Sequence, residues 1–182
     1  MPYYDRKNPR LSNFNYSENR AYFITICTHG RRTMLSQIID VPNELPVCSL
    51  NAYGRIVDSV IQSLPQRFSV KIENYVIMPN HIHLLILLDD PDRVRAIRES
   101  PLHGRSVISK VIGYLKMNVS KQIHQMGYPS EIWQRSFHDH IIRDQRDYDK
   151  IWMYISDNPR RWQEDCFYCN PDNVGAIHES PR

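Results

Sequence analysis

Two histidines, His81 and His83, flank Ile82 inside the apolar run YVIMPNHIHLLILL at 75–88. In an extended strand the side chains alternate between faces, so imidazoles at i and i+2 point the same way and can share one cation. Late in the chain, Tyr154 and Asn158 are four residues apart, one turn of a helix. If the imidazoles and the Asn158 carbonyl oxygen held a divalent cation, it would polarise a phosphodiester as a Lewis acid and Tyr154 would attack phosphorus. A phenol with a pKa near 10 is a poor nucleophile unaided, so this chemistry requires the tyrosine to sit beside the metal.

Other assignments compete at the level of residues. A second pair, His138-Asp139-His140, also occurs. Joining His138 or His140 to His81 and His83 would give a His-rich metal hydrolase site instead. Tyr154 is one of 11 tyrosines, and a place on the solvent-facing flank of a helix would also account for it. Tyr114, on the flank of a cationic helix, is a second possible nucleophile, although it packs near Val107 and Val111.

These residues need elements to hold them. Segment 21–28 (AYFITICT) is β-branched and aromatic and reads as a strand, ended by Gly30-Arg31-Arg32. Segment 36–49 carries Pro42 and Pro46 and reads as a loop or short edge segment. Asn51 is a plausible N-cap for a helix with Ile56, Val57, Val60, Ile61 and Leu64 on one face, which Pro65 should stop. Segments 70–78 and 81–88 read as a hairpin turned by Pro79-Asn80. The unbroken LLILL makes the second strand central, with both faces covered. A charged connection at 89–105 leads to an amphipathic helix from Ser106 with Val107, Ile108, Val111, Ile112, Leu115, Val119 and Ile123 on its apolar side. A fourth strand is expected at 132–143. Asp144 then caps a last helix running to about Asp157, before Asn158-Pro159. On a 100° wheel, Tyr148, Ile151, Trp152 and Ile155 form its apolar stripe and Tyr154 lies well off it. The expected fold is α+β: an antiparallel sheet covered by helices on one side, in a ferredoxin-like arrangement.

The whole chain sets outer limits. At 182 residues it is one domain with appendages, long enough to form a core without a metal or disulfide. The expected division is an irregular arm at 1–20, a domain at 21–160 and a tail at 161–182. No apolar run reaches 18 residues and the start of the chain is polar, so neither a membrane span nor a secretory signal is expected and the cytoplasm is the default. The four cysteines, Cys27, Cys48, Cys166 and Cys169, fit reduced cytosolic usage better than a structural zinc site. A net charge of +3 is only a mild sign of an anionic partner.

Four separated blocks carry a resemblance: RLSNFNYSENRAYFITICTHGRR, NYVIMPNHIHLLI, SVISKVIGYLKMNVSKQI and IWQRSFHDHIIRDQRDYDKIWMYISDNPRRW. Together they resemble the single-tyrosine HUH transposases, in particular the REP-associated tyrosine transposases, in the family's order and across about residues 10 to 165. His81-Ile82-His83 matches the family's two histidines around a hydrophobic residue, whereas His138-Asp139-His140, with a charge between, does not. Tyr154-Ile155-Ser156-Asp157-Asn158 matches the family's nucleophile motif, which implies Tyr154 as nucleophile and Asn158 as third metal ligand.

The resemblance further implies a sheet of the ferredoxin-like or RNA-recognition-motif type and Mg²⁺ or Mn²⁺ as cofactor. The implied substrate is single-stranded DNA with palindromic hairpins, cleaved and rejoined through a tyrosine linked to a 5′ phosphate with a 3′ hydroxyl left free. Such an intermediate conserves the ester bond, which agrees with the lack of a glycine-rich phosphate loop. Single-strand binding would use cationic grooves and aromatic stacking, with Arg31, Arg32, Lys110, Lys116, Arg160, Arg161 and Trp162 as candidates. Both a homodimer and a monomer are compatible with the resemblance. A non-catalytic nucleic-acid-binding descendant of such a transposase is the alternative.

Overall fold

A computed structural model of the protein describes residues 21–88 and 107–168. The expected arm at 1–20, the connection at 89–105, Ser106 and the end of the tail, Cys169 included, lie outside the described residues. In chain order the elements are β1 (Ala21–Cys27), β2 (Ser36–Ile39), β3 (Val47–Leu50), α1 (Ala52–Arg67), β4 (Val70–Ile77) and β5 (His81–Leu88). They continue with α2 (Val107–Gln125), β6 (His138–Ile142) and α3 (Gln145–Asp157). Single 3₁₀ turns occupy His29–Arg31 and Trp162–Glu164.

Four strands form one sheet in the order β4-β5-β1-β6, antiparallel at every pairing. The chain crosses from β1 to β4 through α1 and from β5 to β6 through α2, each time skipping one strand position. This is the ferredoxin-like double split βαβ arrangement, with the β2–β3 hairpin inserted after β1. The two central strands are therefore β1 and β5. Their register sets Cys27 opposite His81 and Thr25 opposite His83, so β1 lies directly beside the histidine pair.

The helices lie on both faces of the sheet, where one covered face was expected. Ile82, Leu84, Ile86 and Leu88 of β5 enter the core formed with α1 and α2. Leu85 and Leu87 join Tyr148, Ile151 and Ile155 of α3 on the opposite face. The reason is already in LLILL: a strand apolar on both sides must be covered on both sides. His81 and His83 share their parity with Leu85 and Leu87, so they open onto the α3 face.

A 13-residue helix is marginal alone, and α3 is held by packing. Burying Tyr148, Ile151 and Ile155 contributes at most about 6 kcal/mol at roughly 2 kcal/mol per side chain. Polar ties fix its register. Asn74 donates to the Trp152 carbonyl (3.3 Å) and the Ser156 hydroxyl (3.1 Å), and the Tyr148 hydroxyl donates to Glu73 Oε2 (3.3 Å). Glu73 and Asn74 lie at a register shift in β4. The bulge re-aims their side chains toward α3.

Local chemistry explains most element ends. Asn51 Oδ1 accepts from the Tyr53 and Gly54 amides, and Asp144 Oδ1 accepts from the Asp147 amide, as N-caps should. Pro65 does not stop α1, which runs on to Arg67. A proline in the last turn forfeits only its own backbone bond, and the Phe68 amide still reaches the Leu64 carbonyl. Segment 36–49 forms a real two-stranded hairpin. The strand expected at 132–143 shrinks to His138–Ile142, with Trp133 making a single bridge to Thr28. Lys116 ties the bend between them by donating to the carbonyls of Gln134, Arg135 and Ser136.

Gly54 is where α1 crosses closest to the chain leading into β2: a Cβ there would lie 2.1 Å from the Leu35 carbonyl oxygen. That oxygen already accepts from the Asn51 amide, so the backbone cannot move away freely. Gly54→Ala is expected to destabilise the protein by about 2 kcal/mol, overpacking of about 3 outweighing the ~1 gained in helix propensity. The urea midpoint measures this, and an unchanged or raised midpoint would contradict the crossing.

Candidate metal and nucleophile site

The histidine pair is oriented by hydrogen bonds on its outer nitrogens. The Asn80 amide nitrogen donates to the Arg31 carbonyl (3.2 Å) and the Phe167 carbonyl (2.8 Å), which turns its oxygen toward His81 Nδ1 at 2.9 Å. An amide oxygen only accepts, so His81 carries its proton on Nδ1 and presents a bare Nε2. His83 Nδ1 lies 2.9 Å from Thr25 Oγ1. The two Nε2 atoms then face each other at 3.0 Å. One proton or one cation between them relieves the opposition of two lone pairs. In metal sites the ligand imidazoles usually have their second nitrogen hydrogen-bonded to an oxygen.

Burial favours the same protonation state. Desolvation pushes His81 down to about 4, against a partial rise from the Asp165 carboxylate and a further lowering by Arg31. Desolvation, reinforced by the neighbouring His81, lowers His83 well below the ordinary imidazole range. Both rings stay neutral near pH 7, the form that binds metal. In the protein without added metal, stability from these neutral rings is fully present above pH 6.5 and is lost as pH falls through about 4. The expected result is a melting temperature that declines below pH 6.5. A His81→Gln/His83→Gln variant with the same slope would overturn this assignment.

Asp165 completes the cluster. One ligand atom from each of His81, His83 and Asp165 lies within 4.8 Å of the others, and Asp165 Oδ2 is 4.0 Å from His81 Nε2. Asn158 caps α3, is buried, and donates from Nδ2 to Asp165 Oδ2 at 3.1 Å. Its carbonyl oxygen Oδ1 is buried and has no hydrogen-bond partner among the described residues. That acceptor, with the bare His81 Nε2, the His83 imidazole and a carboxylate, is a donor set that fits a divalent cation, with oxygen ligands suited to Mg²⁺ or Mn²⁺.

Tyr154 reaches the cluster from α3. Its hydroxyl is 3.4 Å from His83 Nε2, and its ring packs edge-on to Phe23, which stacks on His83. The residue is 38% exposed, so a group in solvent can approach it. Burial of the phenol, together with the Asp165 carboxylate, pushes its pKa up to about 12, although a hydrogen bond with Asn158 pulls the other way. Without a cation the phenolate is scarce.

The fold separates the competing residues. Tyr114 lies on α2, packed against Phe68 and under the Arg67 guanidinium, on the sheet face away from the histidines. His138 and His140 are on β6, with the whole of β1 between them and β5, about 10 Å at the usual strand spacing. His140 is bonded to Asp147 at 2.7 Å. The metal-ligand cluster among the described residues draws on neither histidine.

Asp165 was not foreseen from the sequence. The segment after Pro159 folds back over the site: the Trp162 and Phe167 rings lie 6.0 and 4.7 Å from the His81 ring. Three aromatics in seven residues, Trp162, Phe167 and Tyr168, were the signal that this stretch seeks cover. Arg31 holds it down, donating to the Cys166 carbonyl and lying over Phe167. Several other cations expected to bind DNA are also engaged. Arg32 donates to the His29 and Glu131 carbonyls, Arg160 pairs with Asp157, and Arg161 with Glu164. Lys110, exposed on α2, is not brought to this face. Cys27, Cys48 and Cys166 are free thiols.

Residues 17–158 match the profile of the family described as Transposase IS200 like. The chain belongs to the IS200-like transposase family. That membership gives it a transposase-like role in DNA processing. An uncharacterized Haemophilus influenzae protein is 32% identical over 173 residues, covering 90% of this chain and 93% of that protein. A second protein of that organism, provisionally named a REP-associated tyrosine transposase, is 28% identical over 161 residues, covering 82% and 76%. The solved structure of a REP-associated tyrosine transposase bound to a REP hairpin has the same fold, with a TM-score of 0.56 and 22% identity. The match covers 79% of this chain and 68% of that one. No helix among the described residues is long and apolar enough to cross a membrane.

Proposed function

We propose that this family member cleaves and rejoins single-stranded, hairpin-bearing DNA, with Tyr154 as the nucleophile. The observation that carries the reading is the meeting of Tyr154 Oη with His83 Nε2 at 3.4 Å, across 71 residues of sequence, beside a cluster of potential metal ligands. His81, His83, Asp165 and the Asn158 carbonyl oxygen would hold the metal. A divalent cation bound there would supply Lewis-acid polarisation of the scissile phosphate and would lower the phenol pKa.

The remaining steps belong to the chain. Phe23 and His83 hold the Tyr154 ring in place, and the hydroxyl faces the opening of the site. Its oxygen forms a bond to phosphorus as the bond to the 3′ oxygen breaks; the 3′ oxygen leaves with a proton, and the 5′ phosphate stays on tyrosine. The reverse attack by a 3′ hydroxyl rejoins the strand without a nucleotide cofactor, because the ester bond is conserved. A relative bound to a REP hairpin supports the substrate class.

The test is to incubate the protein with labelled hairpin-bearing single strands and Mn²⁺, then look for a protein–DNA adduct on a denaturing gel. An adduct that needs metal supports the reading. Salt-dependent DNA binding with no adduct from any strand of a palindromic library would instead favour a non-catalytic binding module.

A further inference from the structure

The exposed side of α3 carries a feature the site chemistry does not use. Arg146, Lys150 and Tyr154 follow one another at intervals of four, so they form a single ridge along the helix that leads to the buried C-cap Asn158. Each step advances about 6 Å along the axis, comparable to the spacing of successive phosphates in an extended strand. The ridge borders a groove of about 1100 Å³ whose lining includes Arg146, Lys150, Met153, Tyr154 and Asp165.

The charges in this groove are not equivalent. Every carboxylate lining it is engaged within the protein. Asp149 accepts from the Gln145 amide (2.6 Å), Asp157 pairs with Arg160 (3.8 Å), Glu164 with Arg161 (3.1 Å), and Asp165 accepts from Asn158 (3.1 Å). Arg146 and Lys150 are exposed and have no carboxylate partner among the described residues. Two uncommitted cations thus lead directly to the tyrosine.

We propose that Arg146 and Lys150 bind two successive phosphates of the substrate strand next to the phosphate presented to Tyr154, making the α3 ridge the track along which single-stranded DNA lies. This rests on the reading of Tyr154 as nucleophile. Neither residue touches the reacting atoms, so their role is to bind and position the strand. Released counterions give each phosphate contact a distinct salt signature.

The probe for binding is a fluorescein-labelled 20-nucleotide oligo-dT, titrated by anisotropy at several salt concentrations. Arg146→Gln/Lys150→Gln is expected to reduce the slope of log K against log salt by about 1.4 and to weaken binding about 10- to 30-fold at 0.1 M salt. A charge-matched control on the opposite sheet face, Arg55→Gln/Lys121→Gln, should leave the slope unchanged. In the adduct assay, the same α3 variant should need more DNA for half-maximal adduct and reach the same plateau. An unchanged slope in a variant whose melting temperature is normal overturns the track while leaving Tyr154 as nucleophile. A lowered plateau at saturating DNA also overturns it, because the cations would then act on chemistry rather than on binding. Absence of any adduct in the unmodified protein overturns the reading of Tyr154, and with it the claim that the ridge serves that residue.

Discussion

Tyr154→Phe is expected to abolish the protein–DNA adduct, with a fall on the order of 10⁴-fold or more, while leaving DNA affinity and fold nearly intact. The substitution deletes one oxygen. That oxygen makes no core contact: it lies 3.4 Å from His83 Nε2 beside the polar Asn158 and Asp165, and the residue is 38% exposed. Loss of stability should therefore stay near or below about 0.5 kcal/mol. The ring remains to pack edge-on to Phe23. Unchanged binding combined with lost adduct separates a missing nucleophile from a damaged site. If the Phe variant still forms adduct at the normal rate, another tyrosine attacks. Tyr114, on the far face of the sheet, would have to be reconsidered.

The second large effect concerns the metal. His81→Ala/His83→Ala should lose Mn²⁺ binding by at least two orders of magnitude in calorimetry, since removing only a group that hydrogen-bonds a metal ligand commonly costs about 10- to 100-fold. Adduct formation should fall with it, and excess Mn²⁺ should restore it only partly. The variant also removes rings that pack against Phe23 and Phe167, together with their hydrogen bonds to Thr25 Oγ1 and Asn80 Oδ1. A stability loss of about 2–4 kcal/mol is expected from the cavity and the unmet polar groups. The comparison is therefore made below the melting temperature of the variant. Full Mn²⁺ affinity in the folded double variant would exclude the imidazoles as ligands and leave Asp165 and Asn158 to account for the metal.

Much of this arrangement was legible in the sequence because it is written in short-range patterns. The β4–β5 hairpin is a pair of β-rich runs around Pro79-Asn80. The α3 cap is Asp144 ahead of a helical stripe, and Tyr148 is fully buried on that stripe as its 3.6-residue period requires. Where expectation and structure part, a longer-range contact decides. Pro65 falls in the last turn of α1, where the Phe68 amide can still close the helix on Leu64. Residues 132–137 have strand-like composition, but Lys116 from α2 gathers three of their carbonyls and bends them out of the sheet.

By itself, the sequence determined that His81 and His83 share a face, that Tyr154 and Asn158 share a flank of one helix, and that β5 must be covered on both sides. These are consequences of period 2, period 3.6 and an unbroken apolar run. Only the tertiary structure decided which flank meets which face. The ferredoxin-like strand order makes β1 and β5 central, so Thr25 reaches His83 Nδ1, while Asn80 sets the tautomer of His81. Packing of Ile151 and Ile155 on Leu85 and Leu87 then turns Tyr154 toward His83. Asp165 joins them because three aromatics beyond Pro159 need cover and find it against the His81 ring and Arg31. No local period encodes that contact. It exists because apolar rings are driven out of water onto whatever surface the finished fold leaves open.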